Sequence, residues 1–212
     1  MFIPGLIEKL LSVVIKRLHP FYTDLANESA LSAAPPNAFG FLDNTVTGIS
    51  FEGPGELTEE EGTNYSGGLH VPEGETISLI GGDIEIRRGA FYIDENSKFN
   101  EVSDISTPGG RINLAGAASA GEVIFTDQGL DVSSFESMGD ITISDKAVVD
   151  VSGGESGRLY IRSENFVADE KSSVNAKALG DKNGGLIDIQ VGALSFSNDS
   201  SITHRSISFG IT

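Results

Sequence analysis

The 212-residue chain has no cysteine and no tryptophan. The first absence excludes disulfides, thiolate metal sites and a cysteine nucleophile. The second, with only 12 Phe and 4 Tyr, means that large side chains cannot do most of the packing. Many small, regularly stacked layers suit that composition better than one bulky core. Positive charge is also scarce: 14 Lys and Arg stand against 31 Asp and Glu, a formal net charge of −17. Neutralising a phosphate backbone takes cations, so the balance argues against nucleic acid as a partner, and against an anionic membrane surface. No continuous apolar run reaches the ~18 residues that a membrane-spanning helix needs.

Glycine, in contrast, is abundant at 26 residues, and it recurs in one pattern. A glycine, a variable residue and an aliphatic-x-aliphatic pair appear as Gly82-Asp83-Ile84-Glu85-Ile86, Gly110-Arg111-Ile112-Asn113-Leu114 and Gly139-Asp140-Ile141-Thr142-Ile143. Gly157-Arg158-Leu159-Tyr160-Ile161 and Gly185-Leu186-Ile187-Asp188-Ile189 complete the series. Successive glycines lie 28, 29, 18 and 28 residues apart, a nearly fixed period with one short interval. Such a period marks a solenoid repeat, with a sandwich or barrel as the alternative.

A unit of this length without a helix accommodates roughly three strands of about five residues each plus their turns. The expected fold is therefore all-β, a parallel β-helix over residues 44–212. Ile84, Ile112, Ile141, Leu159 and Ile187 should superpose as one interior column. Glu85, Asn113, Thr142, Tyr160 and Asp188 should face solvent, and each leading glycine should turn a corner at positive φ.

Residues 1–20 read differently. Leu6, Ile7, Leu10, Leu11, Val14, Ile15 and Leu18 fall at helical spacing, opposite Glu8, Lys9, Ser12 and Lys16, which predicts a short amphipathic helix ended by Pro20. It would serve as a cap on the open end of the array, or alternatively as an interfacial membrane anchor. The charged residues interrupt the stretch, so it lacks the apolar core of a signal peptide. Residues 21–43, with Pro35-Pro36, read as a connector.

Catalytic chemistry is poorly represented. Glycoside hydrolysis uses two carboxylates placed across the scissile bond, and Asp127, Asp131, Asp140, Asp145, Glu164, Asp169 and Glu170 supply candidates. Their simplest reading is a solvated face, because paired acids need placement as well as number. His19, His70 and His204 are far apart and have no companions at metal-ligand spacing. Gly153–Gly157 and Asp181–Gly185 lack calcium-repeat spacing and read as turns. No catalytic, cofactor-binding or metal residue is assigned. The polar stretch from Phe91 to Ser106, with Asp94, Glu95, Asn96 and Lys98, is a candidate display loop.

Several stretches together resemble filamentous haemagglutinin-like exoproteins of the two-partner secretion class. They are Ala34-Pro35-Pro36-Asn37-Ala38-Phe39-Gly40-Phe41-Leu42, the run from Val71 to Ile84, and Pro108-Gly109-Gly110-Arg111-Ile112. Gly139-Asp140-Ile141, Val149-Asp150-Val151-Ser152-Gly153 and the run from Ala178 to Gly185 continue the series, which covers about residues 30 to 200. The resemblance implies a right-handed parallel β-helix, secreted or held at the cell surface after export through an outer-membrane two-partner transporter. It also implies a non-enzymatic adhesin that binds glycans or surfaces multivalently. A polysaccharide-active β-helix enzyme of the pectin-lyase kind is the alternative. The family's signal peptide and Asn-Pro-Asn-type secretion motifs are not found in the sequence, so the chain is expected to be a fragment of a larger exoprotein.

Overall fold

The computed structural model describes residues 13–15, 38–53, 68–88, 104–127, 129–155, 157–178 and 185–205. Sixteen strands and no helix are found among them. In chain order, β1 (Val13–Ile15), β2 (Ala38–Phe41), β3 (Ile49–Glu52) and β4 (Leu69–His70) come first. They are followed by β5 (Thr76–Gly81), β6 (Ile84–Arg87), β7 (Ile105–Ser106) and β8 (Arg111–Gly116). Next are β9 (Gly121–Thr126), β10 (Gly129–Asp131), β11 (Ile141–Ser144) and β12 (Val148–Asp150). The last four are β13 (Arg158–Ala168), β14 (Ser173–Lys177), β15 (Leu186–Phe196) and β16 (Ser201–Arg205).

The protein is all-β and its sheets are mostly parallel. One eight-stranded sheet runs β1-β5-β8-β13-β11-β6-β3, with β15 also paired to β13. A five-stranded sheet, β16-β14-β12-β7-β4, is parallel throughout. From β5 onward the chain crosses the first sheet, turns into the second and returns, and each pass pairs with the one before. The aliphatic-x-aliphatic pattern accounts for this: alternate side chains point to one face, and that face is buried between the sheets. Ile77, Leu79, Ile84, Ile86, Ile112, Leu114, Ile141, Ile143, Leu159 and Ile161 form its core with Ile105, Val149 and Val174 from the second sheet. Truncating one of these aliphatics to alanine removes packing worth about 2–5 kcal/mol.

The five glycine-led units do not superpose as one column. Ile112 pairs with Leu159 and Leu159 with Ile187, in a column that begins at Ile77. Ile84 and Ile141 belong to a second column, Ile49-Ile84-Ile141-Phe166-Leu194. The cause is an insertion. β8 and β11 are two halves of one pass, split by residues 117–140 and drawn together again where the Gly139 amide donates to the Gly116 carbonyl at 3.1 Å. The short interval between Gly139 and Gly157 is thus the remainder of a pass that Gly110 began.

The leading glycines also serve a different purpose from the expected one. Positive φ occurs at Gly68, Gly74, Gly109 and Gly129, but not at Gly82, Gly110, Gly139 or Gly157. A Cβ on Gly110 would collide with the Glu75 carbonyl oxygen, and one on Gly157 with the Gly110 carbonyl oxygen. Close backbone approach between stacked passes, and not a left-handed corner, requires glycine there.

The corners on the other side are left-handed without glycine. Asp145-Lys146, Glu170-Lys171 and Asn198-Asp199 all have φ between 47° and 64°. Each pair is closed by an amide three residues on: Ala147 to Ser144, Ser172 to Asp169 and Ser200 to Ser197. The turns bond to one another, Lys146 to the Glu170 carbonyl and Lys171 to the Asn198 carbonyl, both at 2.9 Å.

At the N-terminal end the structure departs from the expected helix. Val13–Ile15 is a strand, antiparallel to β5 with Ile15 opposite Ile77. Three consecutive β-branched residues lose rotamer freedom in a helix, and the open edge of β5 supplies the hydrogen-bond partners they need as a strand. The rest of the helix expected over residues 1–20 lies outside the described residues. Within the expected connector, Ala38–Phe41 is strand β2, antiparallel to β9.

Candidate functional site

The outer faces of the two parallel sheets carry the polar chemistry. On the first sheet, β2, β9 and β10 form a small antiparallel sheet that lies over part of that face. Phe39, Phe41, Phe125, Val132 and Phe135 pack there against Ile80, Ala115, Val123, Leu130 and Tyr160. Asn113 and Tyr160, expected to face solvent, are each only 1% exposed because this insertion covers them. No periodic signal in the sequence marks a lid of this kind, since β9 and β10 interrupt one pass only and β2 precedes the repeats.

Beneath and beside the lid lies a cluster of arginines. Arg162 is buried and its Nη1 contacts Asp188 Oδ1 at 3.0 Å, while its Nε donates to the Leu130 carbonyl at 3.1 Å. Arg111 Nε donates to Asn113 Oδ1 at 2.7 Å, and Nη1 and Nη2 donate to the Thr126 and Gly129 carbonyls at 2.9 Å each. Its guanidinium sits 4.4 Å from the centre of the Tyr160 ring. Desolvation holds Arg111 below the ordinary arginine value; the Tyr160 hydroxyl opposes this, and the nearby Arg158 charge adds to it. Arg158 pairs in register with Arg111 and is itself exposed. Arg111, Asn113, Arg158, Tyr160 and Asp188 occupy variable slots of the repeat motif and Arg162 directly follows one unit, so the sequence does not single them out.

On the second sheet the register builds one outward row from His70, Ser106, Asp150, Asn175 and Thr203. His70 Nδ1 and Ser106 Oγ are hydrogen-bonded at 2.6 Å. A nucleophilic triad needs the acid on the far side of the histidine. Here the serine lies between the other two, and Asp150 Oδ1 accepts the Ser152 amide at 2.7 Å. His204 Nε2 is 2.8 Å from the Gly185 carbonyl, and His19 lies outside the described residues.

Of the carboxylates singled out in the sequence, Asp131, Asp140, Asp169 and Glu170 accept hydrogen bonds from neighbouring backbone or side-chain groups. Asp140 Oδ1 accepts from Asn165 Nδ2 at 2.7 Å. Asp169 Oδ1 accepts from the Ser197 hydroxyl at 2.8 Å, from Asn198 Nδ2 at 2.7 Å and from the Glu170 amide at 2.7 Å. The Ser197 bond is the largest of the causes that lower its pKa. The Ser133 amide and hydroxyl lower that of Asp131 in the same way. A general acid needs a shift in the opposite direction. No group of three or more His, Asp or Glu fit to hold a metal occurs among the described residues. Of the expected display loop, only Asp104–Ser106 falls within them.

No protein-family model, curated protein or solved structure matches the chain.

Proposed function

We propose that the successive passes are coils of a right-handed parallel β-helix, and that the chain is a non-enzymatic segment of a bacterial surface or secreted adhesin of the filamentous haemagglutinin type. In this reading a two-partner transporter exports it across the outer membrane. One observation carries the reading: the column Ile49-Ile84-Ile141-Phe166-Leu194 runs in unbroken parallel register through five passes. A stack of that kind is stiff and quasi-one-dimensional, and it repeats its outward polar positions at a spacing of about 4.8 Å. Such a rod binds by presenting many weak contacts at once, and linkage among contacts raises avidity about 10²- to 10⁴-fold over one contact.

The test is to display the chain at high density on beads and measure retention on glycan-coated and cell surfaces. Retention far above that of the free chain is expected. No retention on any surface would sink the adhesin reading. Incubation with pectin and alginate addresses the enzymatic alternative: turnover abolished by substituting one Asp or Glu would replace the adhesin with a polysaccharide-active enzyme.

A further inference from the structure

The cross-strand pair of Arg111 and Arg158 is an anomaly in a chain of net charge −17. Like charges directly opposite on neighbouring strands are destabilising. Two arginines are nevertheless placed in register, and a third, Arg162, lies 6.0 Å from the same Tyr160 ring. Among the described residues, no carboxylate forms an ion pair with Arg111 or Arg158 within 4.0 Å. Asp188 is engaged by Arg162, and Asp127, the acid whose charge acts on Arg111, makes no ion pair with it within 4.0 Å. The row is completed by Thr76 beside Arg111 and by Leu186, 44% exposed, beside Arg158.

The geometry points to a carboxylate-binding subsite formed by Arg111 and Arg158, which takes a single acidic sugar on an otherwise neutral glycan. This rests on the adhesin reading and names the ligand class of one face of it. A guanidinium presents paired N–H donors that match a planar carboxylate. Arg111 is already held in place by Asn113, Thr126, Gly129 and the Tyr160 ring, so binding would order only Arg158. Thr76 offers a hydroxyl to the sugar and Leu186 an apolar surface for its non-polar face. The surrounding negative charge sets the specificity: it repels a polyanion, whereas one carboxylate meets only the local cations.

The experiment uses isothermal titration of the full chain with sialyllactose, with its neutral methyl ester and with polyuronate. Sialyllactose is expected to bind at least about tenfold more tightly than the ester, with affinity falling as salt rises. Arg158→Gln should abolish that difference and Arg158→Lys restore part of it, with a thermal midpoint no lower than wild type, because Arg158 is exposed and its removal relieves the like-charge pair. Equal binding of acid and ester, an unaltered Arg158→Gln, or preference for the polyuronate overturns the site. If bead retention on cell surfaces persists while any of these is observed, the subsite falls and the adhesin reading stands. Loss of retention removes the adhesin reading, whatever sialyllactose does.

Discussion

The Arg162 guanidinium pairs with Asp188 across two adjacent strands at 3.0 Å, with Arg162 buried and the Asp188 side chain 25% exposed. The same guanidinium reaches the Leu130 carbonyl of the lid, so one residue fastens β15 and the antiparallel insertion to β13. Removing it leaves an acceptor of the lid unpaired and a carboxylate without its cation. Arg162→Ala is expected to lower stability by about 3 kcal/mol, the lower end for breaking a buried pair because Asp188 retains some water. Urea denaturation checks it; a loss below about 0.5 kcal/mol would mean that the lid is held by Arg111 and its phenylalanines without help from Arg162.

Gly157 tests the role of the repeated glycine. A Cβ there would meet the Gly110 carbonyl oxygen, with the Val151 carbonyl oxygen 2.9 Å away. Gly157→Ala should therefore destabilise by about 1–3 kcal/mol, the cost of overpacking, although its φ is not left-handed. Gly154, where nothing lies within 4 Å of an added Cβ, is the control, and Gly154→Ala should be close to neutral. Thermal melts of the two variants that coincide would contradict the close-approach argument.

The left-handed turns make the opposite prediction. Lys171 has φ 64° without being glycine. Lys171→Gly relieves a backbone cost of about 1–2 kcal/mol, less the freedom that glycine adds to the unfolded chain, for a net gain of about 0.5–1 kcal/mol. Lys171→Val should lose stability, since a β-branched residue tolerates that φ poorly. A shift in the urea midpoint of opposite sign for the two variants is the expected result.

Acid should loosen the stacked turns first. Hydrogen bonds from Ser197, Glu170 and Asn198 hold Asp169 below its ordinary value of 3.8. A folded pKa lower than the unfolded one means that the contribution is complete above the unfolded value and disappears as pH falls through the folded one. Stability measured from about pH 6 to pH 2 should fall over that range, and Asp169→Asn should flatten part of the decline. A variant curve parallel to wild type throughout would show that this carboxylate does not couple to folding.

Much of the fold was legible in the chain. The alternation in Ile112-x-Leu114, Leu159-x-Ile161 and Ile187-x-Ile189 sets which residues face inward, because a strand turns its side chains over with period two and only one face escapes water. The partition of the five units into two columns was not legible. Gly82 and Gly139 carry the same local pattern as Gly110 and Gly157, and only the return of the chain after residues 117–140 distinguishes a new pass from the second half of an old one. The arginine cluster was hidden for a related reason. Arg111, Arg158, Arg162 and Asp188 meet through register across strands, and register between distant segments is not written in any local window.

What the sequence determined by itself was the strand class and the inward aliphatics, since both follow from the period-two alternation of a strand and from the cost of exposing apolar surface. What only the tertiary structure decided was which strands are neighbours, where the lid folds back and how the lone Val13–Ile15 strand finds β5. Those outcomes depend on hydrogen-bond partners and buried faces supplied by residues far away along the chain.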